Sequence, residues 1–358
     1  MTHLTPGDPA PWFTARSPAH PDFQFGTVAG RPVVLSFIGS AGLAAGKAML
    51  DGLLAHWARF DNRAASLFIV SQDGADEVQS RIPHGGGVHV FWDFKAETST
   101  LYGLVGKDGD GRPVMRLTSF VLDPMLRIIR VVPMDDPAAH ARAVMEALAA
   151  PMPARPAPVL LLPRVFEPEF CRALIGLYEQ GESEPSGFMQ TDPATGKTVL
   201  RRDYRMKRRR DCIITDESVH HQIQARLKRR LVPEIAKAFQ FHATRIERYI
   251  VARYYAGDGG HFRAHRDNTT NGTAHRRFAV TINLNAEDYE GGDLAFPEFG
   301  PQTVRAPTGG AVVFSCSLMH EARPVTRGSR YCFLPFLYDE AAAKIRAQNQ
   351  GFLDIPES

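Results

Sequence analysis

A run of alternating prolines, PMPARPAP at residues 151–158, is the feature that most constrains how this chain folds. Such a run favours an extended, semi-rigid spacer, because proline can neither continue a helix nor occupy a central strand. The 358 residues are also enough for two domains that each bury a core of their own. The predicted parts are a first domain at residues 1–150, a linker at 151–158, a second domain at 159–340 and a C-terminal tail at 341–358.

Composition and charge exclude several classes of protein. The formal net charge of +3 is close to neutral for this length, so a nucleic-acid partner is not expected from charge alone. The N-terminus has neither a basic nor an apolar leader segment, and no apolar run reaches the roughly 18 residues of a membrane span. We therefore expect a cytoplasmic protein with no membrane partner.

The cysteines give no sign of a disulfide framework or a zinc ribbon. The chain has four, all in its second half and none in a CxxC pair, and they are Cys171, Cys212, Cys316 and Cys332. We interpret them as packing residues.

The first half alternates continuous apolar runs with a helical pattern. Such runs, bounded by turn residues, are typical of strands buried on both faces. The pattern predicts strands at residues 32–38, 65–71 and 88–93, a helix at 47–60, a hairpin of strands at 118–124 and 128–132, and a helix at 136–150. This order indicates an α/β layered domain.

Three phrases in this half, PGDPAPWF, RPVVLSFIGSAG and SFVLDPMLRIIRVV, resemble a peroxiredoxin of the alkyl-hydroperoxide-reductase type. The resemblance covers residues 4–135 and implies a thioredoxin-like fold. It also places a peroxidatic Cys in the loop after the VVLSF strand, but the loop at residues 38–46 has no Cys. We therefore expect no peroxidatic Cys and a non-catalytic domain used for docking, for substrate recognition or for forming a homodimer.

The second half opens with helices and continues with short strands. A strand at residues 159–163, a helix at 168–178, a polar flap or mobile loop at 181–200 and a long helix at 218–239, with Pro233 as its break, are predicted first. Strands follow at 247–255, 262–265, 277–285, 293–296, 302–305, 311–315, 320–322 and 331–338. Short strands at regular spacing after helices fit a double-stranded β-helix, a jelly roll with supporting helices.

A His-x-Asp pair follows a glycine-rich turn in this half. His265 and Asp267 are alternate residues of an extended segment, so their side chains face one side. His320 follows a buried strand and adds a second imidazole. Two imidazoles and one carboxylate suit Fe(II) and leave coordination positions open. Arg330, soon after, offers a planar fork that matches a carboxylate.

The segments that carry these residues resemble the Fe(II)/2-oxoglutarate oxygenases, within their prolyl 4-hydroxylase-like branch. The matching phrases are YAGDGGHFRAHRDN, RRFAVTINLNAEDYEGGDLAFPEFG and PTGGAVVFSCSLMHEARPVTRGSRYCFLPFLYD, within residues 160–340. The resemblance implies Fe(II) ligands at His265, Asp267 and His320. It implies contacts to 2-oxoglutarate from Arg330, Tyr255 and Asn283.

The reaction that the resemblance implies is hydroxylation of a substrate C–H bond, coupled to conversion of 2-oxoglutarate and O2 into succinate and CO2. Ascorbate is the expected supporting reductant. The substrate is an unknown protein, peptide or small molecule, and loops near the metal are expected to form its rim. The candidate rim residues are Arg323, Arg276 and Asn268.

Two alternatives concern other parts of the chain. The basic run at residues 201–210, with Tyr204 inside it, raises a nucleic-acid demethylase, although a solvated basic edge is favoured. Repair demethylases of the AlkB type carry a second Arg six residues after the first, where this chain has Phe336 after Arg330. The other alternative is a redox or scaffold protein acting through the first domain, and the lack of any Cys before Cys171 argues against a peroxidase.

Overall fold

The computed structural model describes residues 3–107, 109–111 and 113–354. The chain forms two compact units, Met1–Arg155 with Pro297–Gly300 and Pro156–Phe296 with Pro301–Ser358.

The first unit is a thioredoxin-like α/β domain, as predicted. Its strands are β1 (Thr14–Ala15), β2 (Phe23–Gln24), β3 (Val33–Gly39), β4 (Ser66–Ser71), β5 (Val88–Trp92), β6 (Val105–Lys107), β7 (Pro113–Met115), β8 (Thr118–Leu122) and β9 (Ile128–Pro133). Its helices are α1 (Ala44–Leu54), α2 (Gly74–Val78), α3 (Glu97–Leu101) and α4 (Pro137–Ala149), with short 3-10 turns at Phe25–Val28 and Trp57–Arg59.

The central sheet of this unit has the order β5-β4-β3-β8-β9, with β3 parallel to β4, β4 parallel to β5, and β8 and β9 antiparallel. Both faces of β3 are buried because its side chains alternate between two cores. Val34 and Ile38 pack with α1 and α4 residues such as Met49 and Val144. Phe37 faces the other way and contacts aromatic rings. The continuous apolar run at 32–38 is therefore explained by a two-sided core.

The second unit is a double-stranded β-helix with supporting helices, which confirms the predicted fold class. Its strands are β10 (Leu160–Leu162), β11 (Glu184–Pro185), β12 (Phe188–Thr191), β13 (Thr198–Arg201), β14 (Lys207–Arg208), β15 (Arg210–Ile213), β16 (Arg245–Glu247), β17 (Ile250–Tyr255), β18 (His261–His265), β19 (Phe278–Asn283), β20 (Glu290–Gly291), β21 (Leu294–Ala295), β22 (Thr303–Val304), β23 (Ala311–Ser315), β24 (His320–Ala322), β25 (Val325–Arg327), β26 (Ser329–Phe333), β27 (Phe336–Tyr338) and β28 (Leu353–Asp354). Its helices are α5 (Pro168–Gln180), α6 (Glu217–Arg230), α7 (Val232–Phe239) and α8 (Glu340–Gln348), with 3-10 turns at Ala256–Asp258, Asn271–Thr273 and Gln350–Phe352.

Two sheets face each other in this unit. The larger has the order β10-β23-β19-β26-β17-β15-β11, with β27 joining β19 and β16 at one end. The smaller has the order β14-β18-β24-β21-β22. Alternate residues of β19 divide between the two sides of the larger sheet. Val280 and Ile282 join the core beneath the helices, whereas Thr281 faces the space between the sheets.

The helices cover the outer face of the larger sheet. Phe170 and Leu174 of α5 and Ile223 and Leu227 of α6 belong to the same core cluster as strand residues such as Phe333. The helix predicted at 218–239 is divided at residue 231 into α6 and α7, with a proline in the first turn of α7, where its missing N–H costs no hydrogen bond. The predicted break is therefore confirmed.

Two predicted irregular segments have regular structure. Residues 181–200 contain most of the antiparallel pair β12–β13, so this segment is a hairpin and not an irregular loop, and its predicted role as a flap stays a prediction. The region predicted as a tail, residues 341–358, holds most of α8 and also β28, which pairs in parallel with β13. Residues 355–358 of that region lie outside the described residues. The short sequence of β28 does not predict a strand, because β28 is specified by its pairing with β13, which is distant in the sequence.

One predicted strand is interrupted. The strand expected at 247–255 is divided into β16 and β17, and Arg248 between them has a positive φ of 70°. Residues other than glycine rarely adopt this conformation, and it redirects the chain at the edge of the space between the sheets.

A candidate metal centre and its cavity

Two histidines face each other across antiparallel strands of the smaller sheet. His265 ends β18 and His320 begins β24, and the two residues are direct cross-strand partners beyond an irregularity in the β18 register. Their ring centroids lie 4.3 Å apart. Asp267 follows just after β18, and one ligand atom from each of the three residues lies within 4.8 Å of the others. The structure thus brings together the three residues that the sequence pattern predicted as ligands.

The hydrogen bonds of the two imidazoles fix which nitrogen faces the carboxylate. His265 Nδ1 lies 2.7 Å from the carbonyl oxygen of Arg263, and His320 Nδ1 lies 3.0 Å from that of Leu318. A carbonyl oxygen only accepts, so each Nδ1 donates a hydrogen bond and each ring turns its Nε2 towards the carboxylate of Asp267. The two Nε2 atoms lie 3.5 Å and 3.3 Å from the carboxylate oxygens of Asp267.

The charges in this cluster fit a cation. Burial, and then the nearby His265, lowers the pKa of His320 to about 4, so the ring is neutral at neutral pH. Burial by itself would raise the pKa of Asp267, but the neighbouring imidazoles outweigh burial and hold that pKa below its usual range. Two imidazole lone pairs and a carboxylate therefore point into one small space. A divalent cation such as Fe(II) satisfies all three groups at once.

Arg276 lies behind Asp267, and its predicted place at the substrate rim is wrong. The side chain is buried, and its Nη2 lies 2.5 Å from Oε1 of Glu247, whose Oε2 lies 2.7 Å from Nε2 of His275. Its Nη1 donates to the backbone carbonyl of Asp267 at 3.4 Å. The buried Glu247 carboxylate holds the guanidinium inside, where it supports the segment that carries the metal-facing carboxylate.

The candidate ligands open onto a cavity of about 60 Å³ between the two sheets. Apolar side chains from both sheets form much of its wall, including Phe262, Leu294 and Phe314. Polar groups also face it, among them Thr281 and Arg330. A cavity between two sheets on which several polar and charged groups converge is a candidate small-molecule site.

Arg330 is a buried cation at this cavity, as the sequence predicted. It is 2% exposed, and its Nη1 donates to the carbonyl oxygen of Gly292 at 2.7 Å. Within the described part of the chain its Nε has no hydrogen-bond acceptor, and no carboxylate lies within salt-bridge distance. A buried guanidinium that lacks a counter-charge fits a site for a carboxylate ligand.

The tyrosine beside Arg330 is Tyr254, so the predicted role of Tyr255 is wrong. Tyr254 is 3% exposed, pairs in register with Arg330 and has its ring 5.2 Å from the Arg330 Cζ. Tyr255 is 43% exposed and its ring lies under the guanidinium of Arg253 on the opposite face of β17. Adjacent strand residues face opposite sides, so only one of the two tyrosines can line the cavity.

The remaining predicted contacts lie away from the cavity wall. The Asn283 side chain is buried, and its Nδ2 donates to the carbonyl of Ala306 at 2.7 Å, so its predicted contact with the cosubstrate is not supported. The guanidinium of Arg323 pairs with Glu321 at 3.0 Å. Asn268 donates to the hydroxyl of Ser317 at 2.8 Å. The rim roles of Arg323 and Asn268 stay predictions.

Sequence reasoning missed three cations that line the cavity. Lys207 and Arg209, from the run expected to be a solvated edge, are 4% and 7% exposed and face inward. Arg248, at the strained position between β16 and β17, lines the cavity as well. The signal was the alternation of Lys207, Arg209 and Asp211, because alternate residues of an extended segment face the same side.

The other residues of the basic run face outward. Arg208 and Arg210 line a separate pocket of about 240 Å³ together with Tyr204, Arg253 and Tyr255. The expectation of a solvated basic edge therefore holds for this outer part of the run.

In the segment of the first unit where the resemblance places a peroxidatic Cys, position 46 has no room for a side chain. Gly46 lies in the first turn of α1, and a Cβ there would come within 2.1 Å of the Ser40 carbonyl oxygen and 2.5 Å of that of Ile38.

The described helices include none that is long and apolar enough to cross a membrane.

Each half of the chain matches the model of a known protein family. Residues 249–338 match the model of the 2OG-Fe(II) oxygenase superfamily, and residues 6–131 match that of the AhpC/TSA family. Both matches confirm the resemblances drawn from the sequence.

The curated relatives are similar to part of the second half. A PKHD-type hydroxylase of Verminephrobacter eiseniae is 33% identical over 117 residues, which are 27% of this chain and 52% of the relative. The PKHD-type hydroxylase PiuC of Pseudomonas aeruginosa is 30% identical over 112 residues, 29% of this chain and 48% of the relative. The chain thus spans about half the length of these relatives.

Two solved structures are similar to one half each. A prolyl-4-hydroxylase of Pseudomonas putida has a TM-score of 0.40 and 18% identity, covering 51% of this chain and 92% of that one. The bacterioferritin comigratory protein of Xanthomonas campestris has a TM-score of 0.33 and 19% identity, covering 38% of this chain and 89% of that one.

Proposed function

We propose that this chain, which carries a 2OG-Fe(II) oxygenase domain at residues 249–338 and an AhpC/TSA domain at residues 6–131, hydroxylates a C–H bond of its substrate. The observation that carries the proposal is the meeting of His265, Asp267 and His320 at the cavity that also holds the unpaired Arg330. The substrate is a protein, a peptide or a small molecule.

Some residues of the site would bind the metal, and others would bind or position the cosubstrate. His265, Asp267 and His320 would hold Fe(II) through two neutral nitrogens and one carboxylate oxygen. Bound Fe(II) and 2-oxoglutarate supply the chemistry that couples O2 and oxidative decarboxylation to hydroxylation, with ascorbate keeping the metal reduced. Arg330 would take the distal carboxylate of 2-oxoglutarate through its guanidinium fork, and the ring of Tyr254 would hold that fork in place.

The cavity wall keeps the reacting groups away from bulk water. Phe262 stacks on the His265 ring with centroids 3.5 Å apart, and the Phe314 centroid lies 4.5 Å from that of His320. These rings fix the two imidazoles and close the space beside them, which limits side reactions of a strong oxidant.

The test of this function is formation of succinate from 2-oxoglutarate by the full chain with Fe(II) and ascorbate. We expect slow turnover without a substrate, and loss of it in His265→Ala and His320→Ala. Equilibrium dialysis against Mn(II) gives a readout independent of turnover, and both variants are expected to lose the bound metal. Equal turnover and equal metal content in the wild type and both variants would contradict the proposal.

A nucleic-acid demethylase is the less favoured alternative. The exposed basic residues that would contact a nucleic acid, Arg208 and Arg210, line the outer pocket and not the cavity at the candidate metal ligands, whereas the buried Arg209 between them borders both. Salt-dependent binding of single-stranded DNA that delivers a base to the iron site would revive this alternative.

The AhpC/TSA domain is proposed to serve in docking, in substrate recognition or in homodimer formation. The support is chemical, because the loop at residues 38–46 has no Cys and Gly46 leaves no space for a side chain. Light scattering of the full chain measures the dimer directly, and a monomer at all concentrations would leave docking or recognition as its role.

A further inference from the structure

The cavity carries more positive charge than the proposed metal and cosubstrate use. Its wall holds Lys207, Arg209, Arg248 and Arg330, and its carboxylate is Asp267. Asp211, outside the wall, pairs with Arg209 at 2.6 Å. The two positive charges of Fe(II) cancel the two negative charges of 2-oxoglutarate, Asp211 offsets Arg209, and Asp267 offsets one of the three other cations. Two positive charges therefore remain at the cavity, where neither Lys207 nor Arg248 forms an ion pair with a carboxylate of the described residues.

Lys207 is buried, and its amino group contacts a carbonyl oxygen and an aromatic ring but no carboxylate. Its Nζ donates to the carbonyl oxygen of Gly187 at 2.6 Å and lies 4.6 Å from the centroid of the Phe262 ring. No carboxylate of the described chain lies within salt-bridge distance of it. Burial lowers the pKa of Lys207 well below its ordinary value, and a bound anion would reverse that effect.

Arg248 is the second uncompensated cation. Its Nη2 donates to the carbonyl of Leu334 at 3.1 Å, its guanidinium lies 4.1 Å from the Phe336 ring, and its buried Nε has no acceptor among the described residues. The backbone at Arg248 is held at a φ of 70°. Strained conformations of this kind persist where surrounding structure enforces them, and they cluster at ligand sites.

Partly different side chains surround these two cations and Arg330. The charges that act on Lys207 include Arg209, Asp211, Arg248 and Asp267. Those that act on Arg248 include Arg276, Glu247 and Asp211, and those that act on Arg330 include Tyr289, Tyr254 and Asp293. Lys207 is therefore near both Arg248 and the metal-facing carboxylate of Asp267, whereas Arg330 belongs to another group of side chains. Two cationic groups around one metal suit two anions, one from the cosubstrate and one from another ligand.

We infer that Lys207 and Arg248 form a second oxyanion site in the cavity, which binds a carboxylate or phosphate group of the substrate beside the metal. This inference rests on the proposed function and narrows its substrate to an anionic molecule or to a peptide with an acidic group. The two donors differ in kind, since the guanidinium offers a planar fork and the ammonium a compact charge.

The experiment uses the full chain loaded with Mn(II), a redox-silent stand-in for Fe(II), and 2-oxoglutarate. Inorganic phosphate is the first probe. Its binding is measured by the ³¹P relaxation rate, which the paramagnetic Mn(II) raises only at short range. Carboxyl-labelled acetate is the second probe and separates a carboxylate site from a phosphate site. We expect saturable enhancement for at least one probe in the wild type.

The variants separate this site from its neighbours. Arg248→Gln and Lys207→Gln are expected to weaken probe binding about tenfold each, the effect of losing one charge-assisted hydrogen bond. Arg210→Gln, an exposed residue next to Arg209 on the outer face, is the matched control and should bind the probe like the wild type. Arg248→Lys keeps the charge and should recover part of the loss. Circular dichroism of each variant confirms that it is folded.

Three results would overturn the inference. The first is no saturable enhancement by either probe in the wild type. The second is equal enhancement in Arg248→Gln and the wild type, which indicates binding to the metal or an adventitious ion only. The third is a loss of 2-oxoglutarate affinity in Arg248→Gln as large as in Arg330→Gln, which assigns the cation to the cosubstrate.

Failure of the proposed function gives a different pattern. In that case the wild type binds neither Mn(II) nor 2-oxoglutarate. Calorimetric titration of phosphate into the metal-free chain still measures the oxyanion site, and binding that Arg248→Gln weakens about tenfold would support the site on its own. Absence of phosphate binding there would overturn it.

Discussion

At the scale of single residues, Tyr254 connects two of the cations of the cavity. Its hydroxyl lies 3.4 Å from Nη1 of Arg209, and its ring lies 5.2 Å from Cζ of Arg330. Burial raises the pKa of Tyr254, so the phenol stays protonated and neutral between the two guanidinium groups. The side chain therefore orders both cations without neutralising either, which leaves Arg330 able to bind an anion.

Replacing Tyr254 should weaken binding of the cosubstrate. We expect Tyr254→Leu to raise the Kd of 2-oxoglutarate, measured by calorimetry with Mn(II), by about tenfold, because the aromatic ring beside the Arg330 guanidinium is lost. Tyr255→Leu is the matched control, since that side chain faces the outer pocket, and its Kd should stay within about twofold of the wild type. The reverse ranking of the two variants would restore the contact expected from the sequence.

The candidate ligands were predictable because their signal is local, whereas the cosubstrate contacts depend on tertiary structure. His265 and Asp267 need only the alternation of one short strand. The choice between Tyr254 and Tyr255 needs the phase of β17, which is set by its pairing with distant Arg330. Lys207 belongs to a run of charged residues, and only the tertiary structure shows that it is buried.

At the scale of elements, the strands and helices that pattern alone predicts are those with a continuous apolar run or a clear helical period. The run at 32–38 became β3, and the period at 168–178 became the first part of α5. The pairs β12–β13 and β13–β28 were missed because short polar strands carry no such pattern and are specified by their partners.

Position 46, in the first turn of α1, should tolerate no side chain. Gly46→Ala places a Cβ against two backbone carbonyl oxygens, which cannot move aside, so we expect a loss of about 1–3 kcal/mol in the free energy of unfolding. Gly74→Ala, at the start of α2 with no atom within 4 Å of the added Cβ, is the matched control and should change it by less than about 0.5 kcal/mol. Urea unfolding followed by circular dichroism makes the comparison, and equal effects of the two changes would contradict it.

The carboxylate of Glu167 forms ion pairs that connect α5 with α6, and their contribution to stability depends on pH. Glu167 precedes α5 and accepts from Arg226 at 2.7 Å and from Arg230 at 2.5 Å. Those hydrogen bonds, from Arg230 first, lower its pKa from 4.5 to about 2. Because the folded-state pKa is depressed, the stabilisation is present above about pH 4.5 and is lost as the pH falls towards 2.

We expect Glu167→Gln to lower the Tm by about 2 °C at pH 6, consistent with a partly exposed ion-pair network. The difference from the wild type should shrink as the pH falls towards the folded-state pKa. Glu169→Gln, whose carboxylate pairs with Arg172 inside the same helix, is the control and should show a smaller difference. A gap between wild type and Glu167→Gln that stays constant with pH would contradict this account. The measurement is calorimetry at a series of pH values.

At the scale of the whole molecule, the chain joins a unit that matches the AhpC/TSA family model, and that holds no cysteine, to a unit that matches the model of the 2OG-Fe(II) oxygenase superfamily. All four cysteines belong to the second unit and are buried. Burial raises the pKa of Cys171 to about 12 and that of Cys316 well above its ordinary value, so neither is a thiolate at neutral pH. The molecule therefore has no reactive thiol among the described residues.

The full chain should therefore fail to reduce hydrogen peroxide with a thiol donor above the uncatalysed rate. In the same samples a thiol reagent should label none of the four cysteines in the native protein within minutes, and all of them after denaturation. Rapid labelling of one cysteine in the native state, together with peroxide turnover, would show that a reactive thiol exists.

The alternation of inward and outward side chains at residues 209–210 and 254–255 has a practical consequence for protein engineering. Arg209 and Tyr254 face the cavity, while their sequence neighbours Arg210 and Tyr255 face the outer pocket. A combinatorial library at the outward positions can therefore give the molecule new surface partners while the inner chemistry is conserved. A library at the inward positions would alter which molecules are oxidised and leave the surface as it was.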